Sequence, residues 1–500
     1  MTKELLIILI ICTLFFGCTT ESVDDRPNII LLMGDDHGWE ETAYNGHEYL
    51  KTPVLDDMAS TGLRLNRFYS AAPTCSPTRG SIITGRHPNR YGTFTPNWSI
   101  RPEEISIAHV LKDAGYTSGH FGKWHLGPVK ANSPTNPGAM GFDTWLSHDN
   151  FFETDPSLSR EGQPPIEISG ESSEILIKET IKFIETSKRD NKPFFAVVWF
   201  GSPHEPYSGL EKDLDLYQNL PDSLDQHFVS LTSMETGLKV KRPLDSVLQE
   251  RYAEITAMDR AIGQLREHLA NNGQRQNTVL WYCGDNGTPS SGIFNTPFRG
   301  QKGLLYEGGL RVPGIIEWPK KIPNQRTSDV NSVTSDIFPT LCELVGQPTP
   351  NLPMDGLSLA PLINGNMKER SEPIFFWNYE TNHELEGGPE PYIDPELQVG
   401  TTPLAKIMNG KYTRTFRNVH HTSISEADYD GPKAVLDNRY KLVIDAQKGT
   451  SSRELFDVIK DPAEKNDLIN IHPDIASQLE RDLLNWQQSV LQSLKGADYP

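Results

Sequence analysis

Asn28-Ile29-Ile30-Leu31-Leu32-Met33 runs directly into Gly34-Asp35-Asp36-His37. An unbroken apolar run leaves no polar face, which suits a strand buried on both sides of a parallel sheet. The sudden glycine and paired carboxylates mark its carboxyl end. The same texture recurs three times. Tyr116–Phe121 leads to Gly122-Lys123-Trp124-His125, Pro193–Phe200 stops at Gly201-Ser202-Pro203-His204, and Thr278–Cys283 stops at Gly284-Asp285-Asn286-Gly287. Helix-patterned stretches precede these three: Ile105–Ala114, Ser173–Ser187 with Ile177, Ile181 and Ile184 at helical spacing, and Leu248–Ala270. Strands alternating with helices predict right-handed crossovers and an α/β fold whose large, mostly parallel sheet is covered by helices on both faces. Ligands of such sheets bind beyond the carboxyl ends of the strands. Each run carries its carboxylates, amide, lysine or histidines at that end.

After about residue 370 the texture changes. Ile374–Trp377, Lys411–Thr415 and Tyr440–Ile444 read as short strands, and Asp474–Leu491 as a terminal helix. They predict a smaller antiparallel sheet with one helix packed on it. Residues 379–430, rich in glycine, proline and charge, read as an irregular insertion. The expected division is a large domain over 26–370 and a C-terminal subdomain over 371–500.

The chain has 500 residues, a formal net charge of −19 and a pI of about 5.2. It has no Lys/Arg-rich run, so the electrostatic footprint of a nucleic-acid binder is missing. An anionic substrate would have to be attracted by a few cations inside a pocket, because screening limits the wider field to roughly 10 Å. The run from Leu5 to Gly17 is too short for the ~20 residues of a membrane span and fits a secretory signal. Gly17-Cys18 before Thr19-Thr20-Glu21-Ser22 resembles the bacterial lipoprotein signal. That resemblance implies removal of residues 1–17, lipidation of Cys18, export, and attachment to the cell envelope only through the lipid. A plain signal peptide is the alternative. Cys12, Cys18, Cys75, Cys283 and Cys342 give no disulfide framework, and Cys283 is expected as a buried free thiol.

Cys75-Ser76-Pro77-Thr78-Arg79 continues through Gly80 to Thr84-Gly85-Arg86. Pro77 suits the first turn of a helix and Ser76 could cap it. Cys75 then sits at a helix N-terminus, which favours a negative nucleophile, and Arg79 returns to the same face one turn later. A turn holding a structural cysteine fits the same five residues. Asp35, Asp36, Asp285 and Asn286 supply hard oxygen ligands from two strand ends, a set suited to Ca²⁺ more than Zn²⁺. In an extended segment Lys123 and His125 would share one side and Trp124 the other.

Together these residues resemble the sulfatase family, whose signature is the C-x-P-x-R of Cys75–Arg79 followed by Thr84-Gly85-Arg86. Asp35-Asp36, Gly122–Gly127, Pro203-His204-Glu205-Pro206, Gly284–Gly287, Lys302-Gly303, Glu454–Asp457 and Asp461–Glu464 match in order. The resemblance implies an alkaline-phosphatase-like mixed sheet and a Cys75 oxidised to formylglycine (3-oxoalanine) by a maturation enzyme. It also implies Ca²⁺ held by Asp35, Asp36, Asp285, Asn286 and residue 75. Hydrated formylglycine offers two hydroxyls: one attacks sulfur, and the other expels sulfate afterwards, which clears the covalent adduct. By resemblance, Arg79 and Lys123 orient the diol and His125 assists its deprotonation. His204 serves the leaving-group oxygen and Lys302 clamps the sulfate. His37, His87 and His120 are expected to be structural.

The implied substrate is a sulfated oligo- or polysaccharide, algal (such as ulvan or carrageenan) or a glycosaminoglycan. Arg90, Tyr91, Asn97 and Trp98, with Arg414, Arg417, His420 and His421, are the candidates for selecting it. Aromatic rings could stack on sugars and Arg could grip a second sulfate or a carboxylate; solvated loop residues are the alternative. Two competing readings are a phosphonate monoester hydrolase or phosphodiesterase of the same superfold, and a non-catalytic glycan-binding lipoprotein.

Overall fold

A computed structural model of the chain describes residues 26–232, 238–381, 390–403, 413–447 and 450–499. The signal segment 1–17 and Cys18 lie outside the described residues. No helix among the described residues is long and apolar enough to cross a membrane.

Five parallel strands form the centre of a ten-stranded sheet, in the order Thr278–Gly284, Asn28–Gly34, Phe194–Trp199, Thr117–Lys123 and Thr144–His148. Beyond Thr278–Gly284 lie Gly314–Glu317, Leu63–Leu65 and Arg326–Ser328; beyond Thr144–His148 lie Ser157–Arg160 and Ile166–Glu167. The outer strands bring antiparallel pairs, so the sheet is mixed, as expected.

Alternation within the apolar runs explains why both faces are covered. Ile29, Leu31 and Met33 join one core with Val279, Trp281, Phe195 and Val197, under Ile82, Ile83, Ile107 and Leu111. Ile30 and Leu32 join the other with Leu280, Ala196 and Val198. That second core is roofed by the helices Ser172–Arg189 and Leu244–Asn271, through side chains such as Leu176, Ile184, Ile255 and Ile262. Because neighbouring side chains point to opposite faces, a continuous apolar strand needs exactly such a double cover.

The C-terminal part is a four-stranded antiparallel sheet, Ile374–Trp377, Lys433–Leu436, Tyr440–Gln447 and Thr450–Asp457, in that order. One face, with Val435, Leu442 and Leu455, carries the helix Pro473–Leu494. The other face, with Ile374, Phe376, Leu436 and Phe456, packs on Tyr69, Leu305 and Leu310 of the larger part.

One expected strand lies elsewhere. Thr413–Thr415, the described portion of Lys411–Thr415, is not in this sheet; it pairs with Val399–Pro403 in a separate two-stranded ribbon. Lys411 and Tyr412 lie outside the described residues. A register shift lies between its two pairs, Val399 with Thr415 and Pro403 with Thr413. The insertion expected to be irregular therefore carries a short ribbon.

Asp355 ties the two parts together. Its carboxylate takes Arg90 Nε at 2.7 Å and Nη2 at 2.8 Å, the His87 amide at 2.6 Å, and Nε1 of Trp486 from the terminal helix at 2.7 Å. Burial alone would raise this carboxyl, but the Arg90 guanidinium holds it well below the usual range. Asp355→Asn would leave Arg90 buried without its counter-charge, a change that costs about 3–5 kcal/mol. Equilibrium unfolding in urea should show a loss of that size; a loss under about 1 kcal/mol would mean the pair contributes no more than a surface one.

Candidate active site

The central strands end in register. Gly34 pairs with Gly284 and Met33 with Trp199, while Lys123 lies level with His148. Their polar tips therefore leave the sheet at one level. Cross-strand bonds continue past the ends, from Asp35 N to Ser202 O at 2.9 Å and from Asp285 N to Gly34 O at 3.1 Å. Gly284 is required here: a Cβ would stand 2.0 Å from the His37 carbonyl oxygen. Asp36 turns the chain in the left-handed region, φ 62°, which aspartate tolerates better than most residues.

Cys75 is the first residue of the helix Cys75–Thr84, and Thr74, not Ser76, occupies the N-cap position. Pro77 is thus the third helical residue, still within the first turn, where its missing N–H costs nothing. The thiol sulfur lies 3.8 Å from Asp36 Oδ1. Cys75 thus stands at a helix N-terminus, as expected. Burial, with Asp285 and Asp35 nearby, pushes the thiol up to about 12 in spite of Lys123 and Lys302. As a plain thiol, Cys75 is protonated and weakly nucleophilic at neutral pH.

Three cations meet three carboxylates around the sulfur. Arg79 Nη2 binds Asp285 Oδ2 at 2.7 Å and lies 3.4 Å from Asp35 Oδ1; its guanidinium also covers the Trp199 ring at 5.1 Å. Lys123 Nζ sits 2.6 Å from Asp35 Oδ2, and Lys302 Nζ 2.7 Å from Asp36 Oδ2. The Asp36 amide donates to Asp285 Oδ1 at 2.8 Å, and Asn286 Nδ2 donates to Asp36 Oδ1 at 2.9 Å. Burial opposes ionisation of Asp36, yet the Lys302 and Lys123 ammonium groups hold its carboxyl well below the usual range. Burial and Asp35 push Asp285 up to about 6.

Ligand atoms of Asp35, Asp36, Cys75 and His204 all lie within 4.8 Å of one another, close enough to hold a metal ion. Asp35 Oδ1 and Asn286 Oδ1 are buried without a hydrogen-bond partner. Orphaned hard oxygens are what a divalent cation satisfies, so the residues present fit such an ion.

Lys123 and His125 do reach one side, but by another route than expected. The strand ends at Lys123, and His125 adopts φ 55°, so the segment is not extended. Trp124 goes to the opposite side, stacked on Trp199 in the core. Neither ring nitrogen of His125 has a hydrogen-bond partner among the described residues. Burial, with Lys123, Arg414 and Arg79 near, holds this imidazole well below its ordinary value. His204 Nδ1 lies 2.5 Å from the Glu205 carbonyl and Nε2 3.7 Å from Asp36 Oδ2. Burial again keeps the ring neutral, Asp36 notwithstanding.

Among the expected substrate-selecting residues the structure separates two groups. Arg90 is buried and fully engaged by Asp355, Ser489 and Ser493. Trp98 is buried against Phe94 in the core beneath the terminal helix, and Tyr91 lies in the main core. These three pack; none offers a free face to a sugar. Arg417 is exposed over the Trp98 ring, Asn97 takes φ 75°, His420 stacks on Tyr392 and His421 abuts Phe94. Arg414 alone of the set reaches the site's wall, over Phe151. His37 bonds Tyr282 and Glu41, His87 accepts the Asn89 amide, and His120 faces Ser147.

Two functional positions escaped the sequence reading. Arg251 is buried and clamps Glu41 with Nε and Nη2 at 2.6 Å, the Asp36 carbonyl at 2.6 Å and the Pro203 carbonyl at 2.5 Å. It thereby fixes the Asp36 turn to the His204 loop. Its signal was an arginine inside the apolar stripe of Val247, Leu248, Ile255 and Met258. Phe151 stacks on His204 at 4.7 Å and 12°; nothing in its loop sequence marks it out.

Comparison with known proteins follows this geometry. The Sulfatase family model matches residues 27–347. The N-acetylgalactosamine-6-sulfatase of Mus musculus is 30% identical over 411 residues, covering 73% of this chain and 71% of its own. Arylsulfatase A of Homo sapiens is 30% identical over 389 residues, 70% of each chain. The crystal structure of Ps i-CgsB in complex with k-i-k-neocarrahexaose shares the fold, with a TM-score of 0.73, 22% identity and 94% of each chain covered. With its family match running from the first central strand to beyond the last, the chain belongs to the sulfatase family and is a sulfuric ester hydrolase.

Proposed function

We propose that the enzyme hydrolyses sulfate esters of a sulfated carbohydrate, using formylglycine at position 75 and a calcium ion. The observation that carries this reading is the buried cluster of Asp35, Asp36 and Asp285 with Arg79, Lys123 and Lys302 around the Cys75 sulfur. Carbohydrate as substrate is supported by the mouse relative, named for N-acetylgalactosamine 6-sulfate, and by the structural neighbour bound to a neocarrahexaose. An algal polysaccharide or a glycosaminoglycan is the proposed class.

Calcium would be held by Asp35, Asp36, Asp285, Asn286 and residue 75, and when bound it withdraws charge from the sulfuryl oxygens. Formylglycine, made from Cys75 by a maturation enzyme, supplies a hydrated aldehyde as nucleophile where the thiol is held protonated. The chain's own residues do the rest. Arg79 locks Asp285 and Asp35 in place, while Lys123 and Lys302 present ammonium groups to the sulfate oxygens. His125, neutral and with no hydrogen-bond partner on its ring among the described residues, accepts the nucleophile's proton. His204 gives Nδ1–H to the Glu205 carbonyl, so Nε2, bare in the neutral ring, is the atom that must take up a proton from solvent before passing it to the departing oxygen. The signal 1–17 and lipidated Cys18 place the enzyme, on this reading, outside the cytoplasm as an envelope lipoprotein.

Five outcomes test it. Cys75→Ala should abolish turnover of 4-nitrophenyl sulfate while leaving the unfolding midpoint unchanged. The wild type should prefer that ester to an aryl phosphate diester; the reverse preference would assign it to phosphodiester chemistry. Chelation should lower the rate and calcium restore it. Arg251→Met should raise the calcium concentration for half-maximal activity about 10–100-fold, the usual effect of removing a group that orients ligands. An unchanged calcium requirement would show that the clamp does not serve the metal site. His204→Ala should slow alkyl and sugar sulfates ~10²–10⁴-fold, but nitrophenyl sulfate far less, because nitrophenolate leaves without a proton. Equal losses accompanied by weaker calcium binding would make His204 a metal ligand instead.

A further inference from the structure

Arg79, Arg86, Arg90, Arg251 and Arg370, the most deeply buried arginines among the described residues, each face a carboxylate. Arg414 does not. Half-buried, it makes no hydrogen bond or ion pair with any described residue, and its Nε is closed off from solvent without a partner. A desolvated donor left unpaired costs free energy in the resting protein. Such a group persists where a ligand completes it.

The position of Arg414 is fixed. Its strand, Thr413–Thr415, pairs with Val399–Pro403, and Asp149 pins that partner to the larger part. Asp149 Oδ2 accepts the Thr401 and Thr402 amides at 2.7 and 2.9 Å, and Oδ1 accepts the Val129 amide at 2.7 Å. Asp149 is close enough to act on Arg414 electrostatically, but backbone amides already occupy both of its oxygens.

The ribbon also faces the reacting groups. The Arg414 guanidinium lies 5.9 Å from the centre of the Phe151 ring, and that ring stacks on His204. Two residues along, Phe416 packs edge-on against His125 at 6.2 Å. Arg414 is therefore linked to the histidine assigned to the leaving group through the Phe151 ring, and it is near enough to His125 to act on it electrostatically. Residue 75 also lies within the electrostatic surroundings of Arg414.

The geometry points to Arg414 as the specificity-determining residue: it pairs with a second anionic group of the substrate, a sulfate or a carboxylate, carried on the leaving-group side of the ester that is cleaved. This rests on the sulfatase reading above. A guanidinium offers a planar fork of donors that matches either anion in bidentate fashion. It also rejects substrates lacking the second anion, because they bury the cation without pairing it.

The test compares purified, mature wild type with Arg414→Gln and Arg414→Lys. Four probes are used: 4-nitrophenyl sulfate, a monosulfated hexosamine, the same sugar bearing a second sulfate, and a monosulfated disaccharide containing a uronate. The wild type should favour at least one doubly anionic probe over the monosulfated sugar in kcat/KM. Arg414→Gln should shrink that preference about 10- to 100-fold, mainly through KM, and Arg414→Lys should recover part of it. Which probe responds identifies sulfate or carboxylate as the partner. A wild type indifferent to the second anion, or equal losses in Arg414→Gln on every probe, would overturn the inference. Should Arg414→Gln not fold, Arg414→Lys decides alone, since loss of the fork with retention of charge must still narrow the preference. A wild type inert on nitrophenyl sulfate and on all the sugars would instead strike down the sulfatase reading itself.

Discussion

Three carboxylates buried together cannot all stay ionised unless cations are held against them. At ~4 Å and an effective dielectric of about 20, two like charges repel by about 4 kcal/mol, and burial adds to that. The chain meets this constraint from three separate segments. Arg79 comes from the Cys75 helix, Lys123 from a strand end and Lys302 from a loop. Much else nearby serves the same end. Asp36 takes a left-handed turn, Gly284 lets the neighbouring strand end close on His37, and Arg251 holds the Asp36 carbonyl. With three charges of each sign the cluster is neutral, so a bound dication would leave it positive toward an anionic ester.

The same constraint bears on the proposed conversion of residue 75. A helix N-terminus is worth roughly 0.3–1 kcal/mol to a negative group. Burial beside Asp35 and Asp285 outweighs that, and the thiol moves up to about 12. Carboxylates that suit a metal ion are poor company for a thiolate. A nucleophile that stays neutral until the moment of attack, with His125 waiting to take its proton, resolves the conflict. Conversion of the thiol to an aldehyde hydrate would supply one.

What the sequence disclosed follows from how local its signals are. Asn28–Gly34 and Thr278–Gly284 were legible because an unbroken apolar run has few structural solutions, and their polar tips converge because parallel strands end together. The Cys75 helix was legible apart from its cap, which slid to Thr74. Partners distant along the chain were not legible. Arg90 looked like a candidate for substrate because its own neighbourhood is polar, yet its counter-charge is Asp355, 265 residues away. Arg251 stands in an apolar helical stripe, but its partners Glu41 and the Asp36 carbonyl lie more than 200 residues away. Thr413–Thr415 is too short for periodicity to say which sheet it joins.

That ribbon changes how the C-terminal part is to be understood. A sheet and helix beyond residue 370 could serve as a mere buttress, and the packing of Phe376 and Phe456 on Tyr69 and Leu310 is of that kind. The ribbon inserted before its second strand is different, since it brings Arg414 and Phe416 to the two histidines that the larger part supplies. His125, His204 and the charge cluster come from the framework, whereas the wall proposed to meet the rest of the substrate comes from an insertion. Net charge sharpens the point. A chain at −19 repels a polyanion at long range, and beyond roughly 10 Å no pocket cation can offset that. Recognition must then be won at contact distance, where a cation without a protein counter-charge is worth most. Selectivity built on such contacts can change with the insertion while the cluster around residue 75 stays as it is.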